Sequence, residues 1–349
     1  MPTTYAIPDG RTVMAATLYA ANGSTQTISN AVNGVSMQPD FVWVKSRQYT
    51  TVGHSLFDAL RPIGVNSSLP RLVSNSTDAE TNNGGLTAFV SNGFSLNNDA
   101  YINSTSTGGN MVAWQWNAGG STVTNTSGSI SAQVRANTTA GFSVVTFTAP
   151  VSGTCTVGHG LGVAPSFFFI KSRANAYGWT VYHSSVGNTK YLVLNSTAAS
   201  ATDANTWNNT SPTSSVFTLG TNFQNTSTWV AYCFAPVAGY SAFGSYTGNG
   251  STDGPFVYCG FRPKFIMIKS LSTVNSWHMT DTSRSTYNQA VETVWANESS
   301  VESTSSTQAI DILSNGFKIR NSTSEVNNSG TSLIYMAFAE VPFRYANAR

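Results

Sequence analysis

The sequence predicts an all-β protein made of three tandem antiparallel β-sandwich repeats, jelly-roll or lectin-like in kind. Three observations predict it. The pattern P-x-F-x-x-x-K-S occurs three times, running Pro39 to Ser46, Pro165 to Ser172 and Pro263 to Ser270. Self-similarity of this kind marks an array of one supersecondary unit. Around each copy, short blocks rich in aromatic and β-branched residues are separated by Asn, Gly, Ser and Thr clusters, the punctuation of strands and turns. No stretch sustains an i, i+3, i+4, i+7 apolar pattern over three turns, and Tyr287 to Trp295 is the nearest approach to a short helix.

The elements follow in order. An opening strand (Thr17 to Tyr19, Val144 to Phe147, Phe243 to Tyr246) leads through a Gly-containing turn into the motif. The motif strand, starting at Phe41, Phe167 or Phe265, is apolar at successive positions and so is expected to be buried on both faces. A second strand spans His54 to Asp58, Trp179 to His183 and Trp277 to Asp281. A third block holds Phe94, Phe217 and Phe317, which lie 55, 52 and 54 residues after the motif prolines, so these phenylalanines are expected to be shared structural positions. A closing strand runs Asn110 to Trp116, Thr228 to Phe234 and Ser332 to Phe338. In it Val112, Trp114 and Trp116 share one face; Trp229, Ala231 and Cys233 oppose Val230, Tyr232 and Phe234.

These spacings divide the chain into a polar N-terminal arm (1–16), repeat one (17–119), a polar connector (120–141), repeat two (142–238) and repeat three (239–349). In the connector Ile130, Ala132 and Val134 alternate as an edge strand would.

Only 9% of residues are charged, against a usual quarter, and polarity comes from Ser, Thr and Asn. Aromatics at 12% and a net charge of +2 exclude a disordered chain. A near-neutral balance without a basic run argues against nucleic-acid binding. No apolar run approaches the ~18 residues of a membrane span, and Met1 to Gly10 lacks the basic-then-apolar order of a signal peptide. Cys155, Cys233 and Cys259 are an odd set; Cys233 and Cys259 lie in strand-like segments and are expected to be small buried hydrophobes. Asn-x-Ser/Thr triplets at Asn66, Asn75, Asn103, Asn195 and Asn321 follow from composition alone.

Candidate chemistry is sparse. The histidines (His54, His159, His183, His278) share no one repeat position, and neither His-x-x-His nor paired Cys spacing occurs, so no metal and no cofactor are expected. Gly158-His-Gly-Leu-Gly162 precedes a strand rather than a helix and is expected to be a β-turn. A glycosidase needs two carboxylates ~5–10 Å apart. Asp58, Asp253 and Asp281 are not paired by any spacing, and His183 takes the aspartate position in repeat two; no catalytic residue is expected. Lys45, Lys171 and Lys269 each end a motif strand. A ligand contact is one reading; a charge capping a buried strand, paired with Asp58 or Asp281, is preferred because it recurs in all copies. Tyr49, Tyr101, Tyr177 and Trp207 lie in loop-like segments outside the shared blocks, the positions expected to stack on sugar rings.

Several blocks, among them Gln38 to Arg47, Asn110 to Gly120, Gly158 to Pro165, Gly244 to Val257 and Tyr335 to Phe343, resemble a family of repeat proteins from tailed bacteriophages, common in marine and cyanobacterial phages. The resemblance covers nearly the whole chain. It implies a virion structural protein, tail-fibre associated, whose module has no known function and supplies no catalytic residues. The expectation is a tail-fibre or receptor-binding component made in the host cytoplasm. Its expected partners are other virion proteins, host surface glycans and further copies of itself, a trimer being the plausible oligomer. The alternative is a capsid decoration or head-fibre protein attached through residues 1–16.

Overall fold

The computed structural model describes residues 5–64, 67–107 and 109–340. The first four residues of the expected arm, Asn66, and residues 341–349 of the expected third repeat lie outside them.

The chain is nearly all β, in several antiparallel sheets. Three five-stranded arrangements share one order: opening, closing, motif, second strand, then a short fifth. In unit one these are Met14–Ala20, Asn110–Trp116, Phe41–Ser46, Ser55–Asp58 and Leu72–Val73. Unit two has Phe142–Thr148, Thr228–Phe234, Phe167–Ser172, Thr180–His183 and Lys190–Val193. Unit three has Ser241–Thr247, Ser332–Ala339, Pro263–Ser270, His278–Asp281 and Val294–Trp295. Each carries a smaller sheet containing the third block: Gly93–Leu96, Val216–Leu219 or Gly316–Ile319.

The connector forms two strands, Val123–Asn125 and Ala132–Asn137, which extend the sheet of unit two beyond its opening strand. Two segments are tied into the fold in ways their sequence does not announce. The opening strand of unit one starts at Met14, and Ile7, Val13 and Met14 are buried in a core cluster, so residues 5–16 are packed rather than a free arm. Tyr287 to Trp295 holds no helix: Ala290 bridges to Ile310, and the Asn288 side chain bonds the Ile312 backbone, tying the segment to the small sheet. Among the described residues the α-helices are the four-residue turns Ala204–Trp207 and Ser324–Asn327.

Strand alternation sorts the core into shared and private parts. Phe41 and Trp43, Phe167 and Phe169, and Phe265 and Met267 point into one common cluster with residues from all three units. Their neighbours Val42 and Val44, Phe168 and Ile170, and Ile266 and Ile268 point the other way, each pair into a separate sandwich core. Double-sided burial of the motif strand is therefore observed, and the second face belongs to the neighbouring units. Aromatic rings close the common cluster across units: Phe41–Tyr232 at 4.3 Å, Trp114–Phe265 at 5.7 Å and Phe234–Phe338 at 5.7 Å between centroids. Burying each such ring is worth roughly 1.5–3 kcal/mol, with ~0.5–1.5 kcal/mol more per well-placed pair.

Candidate functional site

The motif lysines stitch the units together. Lys45 Nζ donates to the carbonyls of Ser46 (2.7 Å) and Ser299 (3.2 Å). Lys171 Nζ donates to Thr77 (3.0 Å), Ser172 (3.0 Å) and Asn175 (3.2 Å). Lys269 Nζ donates to Thr197 (2.8 Å) and Asn275 (2.6 Å). Ser299, Thr77 and Thr197 each belong to the next unit, so one contact runs one to three, two to one and three to two, a head-to-tail arrangement that closes. Burial pushes each ammonium down to about 8, against the opposing pull of Glu302, Asp78 and Glu325 respectively. The expected pairing with Asp58 or Asp281 is replaced by these carbonyls because an arginine already holds each aspartate.

Two further contacts repeat around the ring. His54 Nε2 lies 2.9 Å from the Trp295 carbonyl oxygen, while Trp179 and Trp277 donate Nε1–H to the carbonyls of Val73 (2.8 Å) and Val193 (3.0 Å). Within each unit, Asn75, Asn195 and Asn297 accept from the backbone N–H of His54, Trp179 and Trp277. All three of these asparagines head Asn-x-Ser/Thr triplets, so glycosylation-like triplets here carry structural asparagines.

The carboxylates are committed. Asp58 and Arg61 pair at 2.6 Å with neither side chain exposed, and the Tyr232 hydroxyl of unit two donates to Asp58 at 2.6 Å. Arg61 continues to Glu80 (2.9 Å), and Glu80 to Arg173 of unit two (2.9 Å). Between units three and one the same chain reads Asp281–Arg284 (2.6 Å), Arg284–Glu302 (3.1 Å) and Glu302–Arg47 (2.6 Å), with Trp114 donating to Asp281. Burial alone would raise the Asp58 and Asp281 carboxyls; the arginine charges outweigh it and hold both below the usual carboxylate range. Buried and paired in this way, neither can reach a polymeric substrate. Asp253 stands in solvent beside Lys318 and Arg320.

Between units two and three the corresponding positions are His183, Val186, Ser200 and Leu271. Burial pushes the His183 imidazole down to about 4, and its Nε2 lies 3.3 Å from the Tyr335 carbonyl oxygen. Ser200 donates its N–H and Oγ–H to the Leu271 carbonyl (2.9 and 3.0 Å). A cleft of about 310 Å³ opens here between Val186, Lys190, Leu271 and Ser332.

The loop aromatics separate. Trp207 is only 1% exposed and packs against Phe168, Tyr182 and Phe223; the polar segment around it turns inward as the helix Ala204–Trp207, which removes it from any solvent-facing role. Tyr101 is half-buried beneath the Arg71 guanidinium, 3.5 Å from its ring centroid. Tyr49 is half-buried beside Gly109. Tyr177 is 47% exposed and borders a cleft of about 260 Å³ with Thr180, Tyr191, Thr206, Asn222, Phe223 and Trp229. Tyr177 and Trp229 are almost parallel, at 3° and 6.0 Å between centroids. Sequence reasoning found Tyr177 but missed Tyr191, Asn222 and Trp229. Trp229 was legible only as one member of a strand face. Phe94, Phe217 and Phe317 sit fully buried in the three private cores.

Cys155 and Cys233 are buried and Cys259 half-buried, all as free thiols. Burial pushes Cys155 up to about 11 and Cys259 up to about 12. No group of three or more His, Cys, Asp or Glu suited to a metal ion occurs among the described residues, and no helix there is long and apolar enough to cross a membrane.

Fold and site together define an all-β protein of several antiparallel sheets, with an open aromatic cleft among the described residues. The family described as Domain of unknown function (DUF7483) matches residues 10–342, so the chain belongs to it. No curated protein and no solved structure matches the chain.

Proposed function

We propose that this protein is a structural component of a bacteriophage particle, the tail-fibre or receptor-binding part that contacts the host surface. One observation carries the reading: three sandwich units close head to tail around a common aromatic core, giving a rigid body from which surface loops can be displayed. The motif resemblance to phage repeat proteins and the weakly charged Ser/Thr/Asn surface support it. In this reading the chain works by binding rather than catalysis, without cofactor, nucleic acid or membrane insertion, alongside other virion proteins and further copies of itself. Packing of Ile7, Val13 and Met14 into the core leaves residues 5–16 poorly suited to serve as a capsid tether.

Immunogold electron microscopy of intact particles tests the reading. Gold on the tail or its fibres is the expected outcome. Gold spread over the head would overturn it in favour of a capsid decoration or head-fibre protein.

A further inference from the structure

We infer that the cleft on unit two binds a single neutral sugar residue. The inference rests on the proposed host contact for its biological setting, and on the cleft alone for its chemistry.

The same place on the scaffold exists in all three units, and two of them fill it. Strand register places Arg71 of unit one where unit two has Tyr191, since Leu72 faces Leu56 as Leu192 faces Val181. In unit one the Arg71 guanidinium lies on the Tyr101 ring and closes the space. In unit three Trp295 donates Nε1–H to Glu325 at 2.7 Å, and His278 Nδ1 lies 2.9 Å from the same oxygen. Unit two has Thr180 in place of His278 and Val193 in place of Trp295 by the same register. Asn222 stands in place of Glu325, one residue before the buried Phe223 or Val326 in the turn that leads to the closing strand. Side chains shorter than those of unit three at all three positions leave the space open.

The lining selects a ligand class. Small-molecule clefts run from roughly 300 Å³ upward, with apolar walls and a few polar groups. At about 260 Å³ this one suits a single ring rather than an extended chain. Tyr177, Tyr191, Phe223 and Trp229 supply apolar faces of the kind that pack against the C–H face of a pyranose. Thr180 Oγ has no partner among the described residues, and Asn222 commits its Nδ2 to Asp203 and Thr206, leaving Oδ1 to accept from a sugar hydroxyl. No charged side chain lines the cleft, which favours a neutral sugar over a uronate or an amino sugar cation. The Tyr177 loop is held in advance: Lys171 grips the Asn175 carbonyl, Asn175 N–H donates to Ser172 Oγ at 3.1 Å, and the Asn175 amide bonds Ser227. A preformed wall reduces the ordering cost of binding.

The test is saturation-transfer NMR and tryptophan-fluorescence titration of the full chain with the methyl glycosides of glucose, galactose, mannose and N-acetylglucosamine. At least one is expected to saturate with a millimolar Kd. Tyr177→Ala and Thr180→Val, at half-exposed or exposed positions compatible with folding, should each weaken it several-fold or more, whereas Tyr258→Ala, an exposed tyrosine on unit three, should leave it unchanged. Saturation by none of the four, or binding that Tyr177→Ala and Thr180→Val leave intact, would overturn the inference. Sugar binding by a protein that gold finds on the head would overturn the functional reading and leave the site standing. Gold on the fibres without sugar binding would do the reverse.

Discussion

The two interfaces flanking unit one and the interface between units two and three solve one packing problem with different chemistry. The first two bury an Asp–Arg–Glu–Arg chain; the third puts His183, Val186, Ser200 and Leu271 in the same places and keeps a cleft. All three retain the lysine-to-carbonyl bonds, the ring-nitrogen contacts of His54, Trp179 and Trp277, and their share of the aromatic core. Closure therefore depends on what is common to the three interfaces. The ion chains are additions whose Coulombic gain is offset by desolvation, so their presence is weak evidence of extra stability, while their disruption is costly.

That asymmetry sets the largest expected effect. Removing Arg61 or Arg284 by alanine strands a buried aspartate and should cost about 3–5 kcal/mol in urea unfolding. Val186→Ala, at the matching position of the interface without an ion chain, should cost about 1 kcal/mol or less. Equal costs at the two places would break the comparison.

A smaller effect separates the interfaces by pH. His183 is neutral when folded because burial depresses its imidazole from 6.5 to about 4. Between those values the unfolded chain binds the extra proton, so stability falls as pH drops from 6.5 toward 4, by up to about 3 kcal/mol from this residue. His54, buried and depressed in the same sense at the interface of units three and one, adds to the fall. Asp58, Asp281 and Glu80 are shifted below their ordinary range, so their contribution is lost only at lower pH. His183→Gln should flatten the profile between pH 6.5 and 4, and an unchanged slope would show that the interface between units two and three is not the acid-sensitive one.

The strands were legible because alternation and turn residues are local signals: Val112, Trp114 and Trp116 share the face their spacing predicts. The motif strand announced burial on both faces, yet an apolar run does not say what covers it, and the shared core stayed hidden. The lysine partners were illegible for a related reason, since backbone carbonyls leave no residue signature. Trp207 misled because Asn and Thr neighbours resemble a loop, while one helical turn swings the indole under the sandwich. The cleft on unit two arises from what Thr180, Val193 and Asn222 fail to fill, which shows only beside His278, Trp295 and Glu325 folded into the same place.

The central claim is that three units share one core and stand or fall together. Differential scanning calorimetry of the full chain tests it most directly, because a two-state unit gives equal van't Hoff and calorimetric enthalpies. The account predicts one transition with a ratio near one. Separable transitions, or a calorimetric enthalpy close to three times the van't Hoff value, would mean that the units unfold independently and would contradict it.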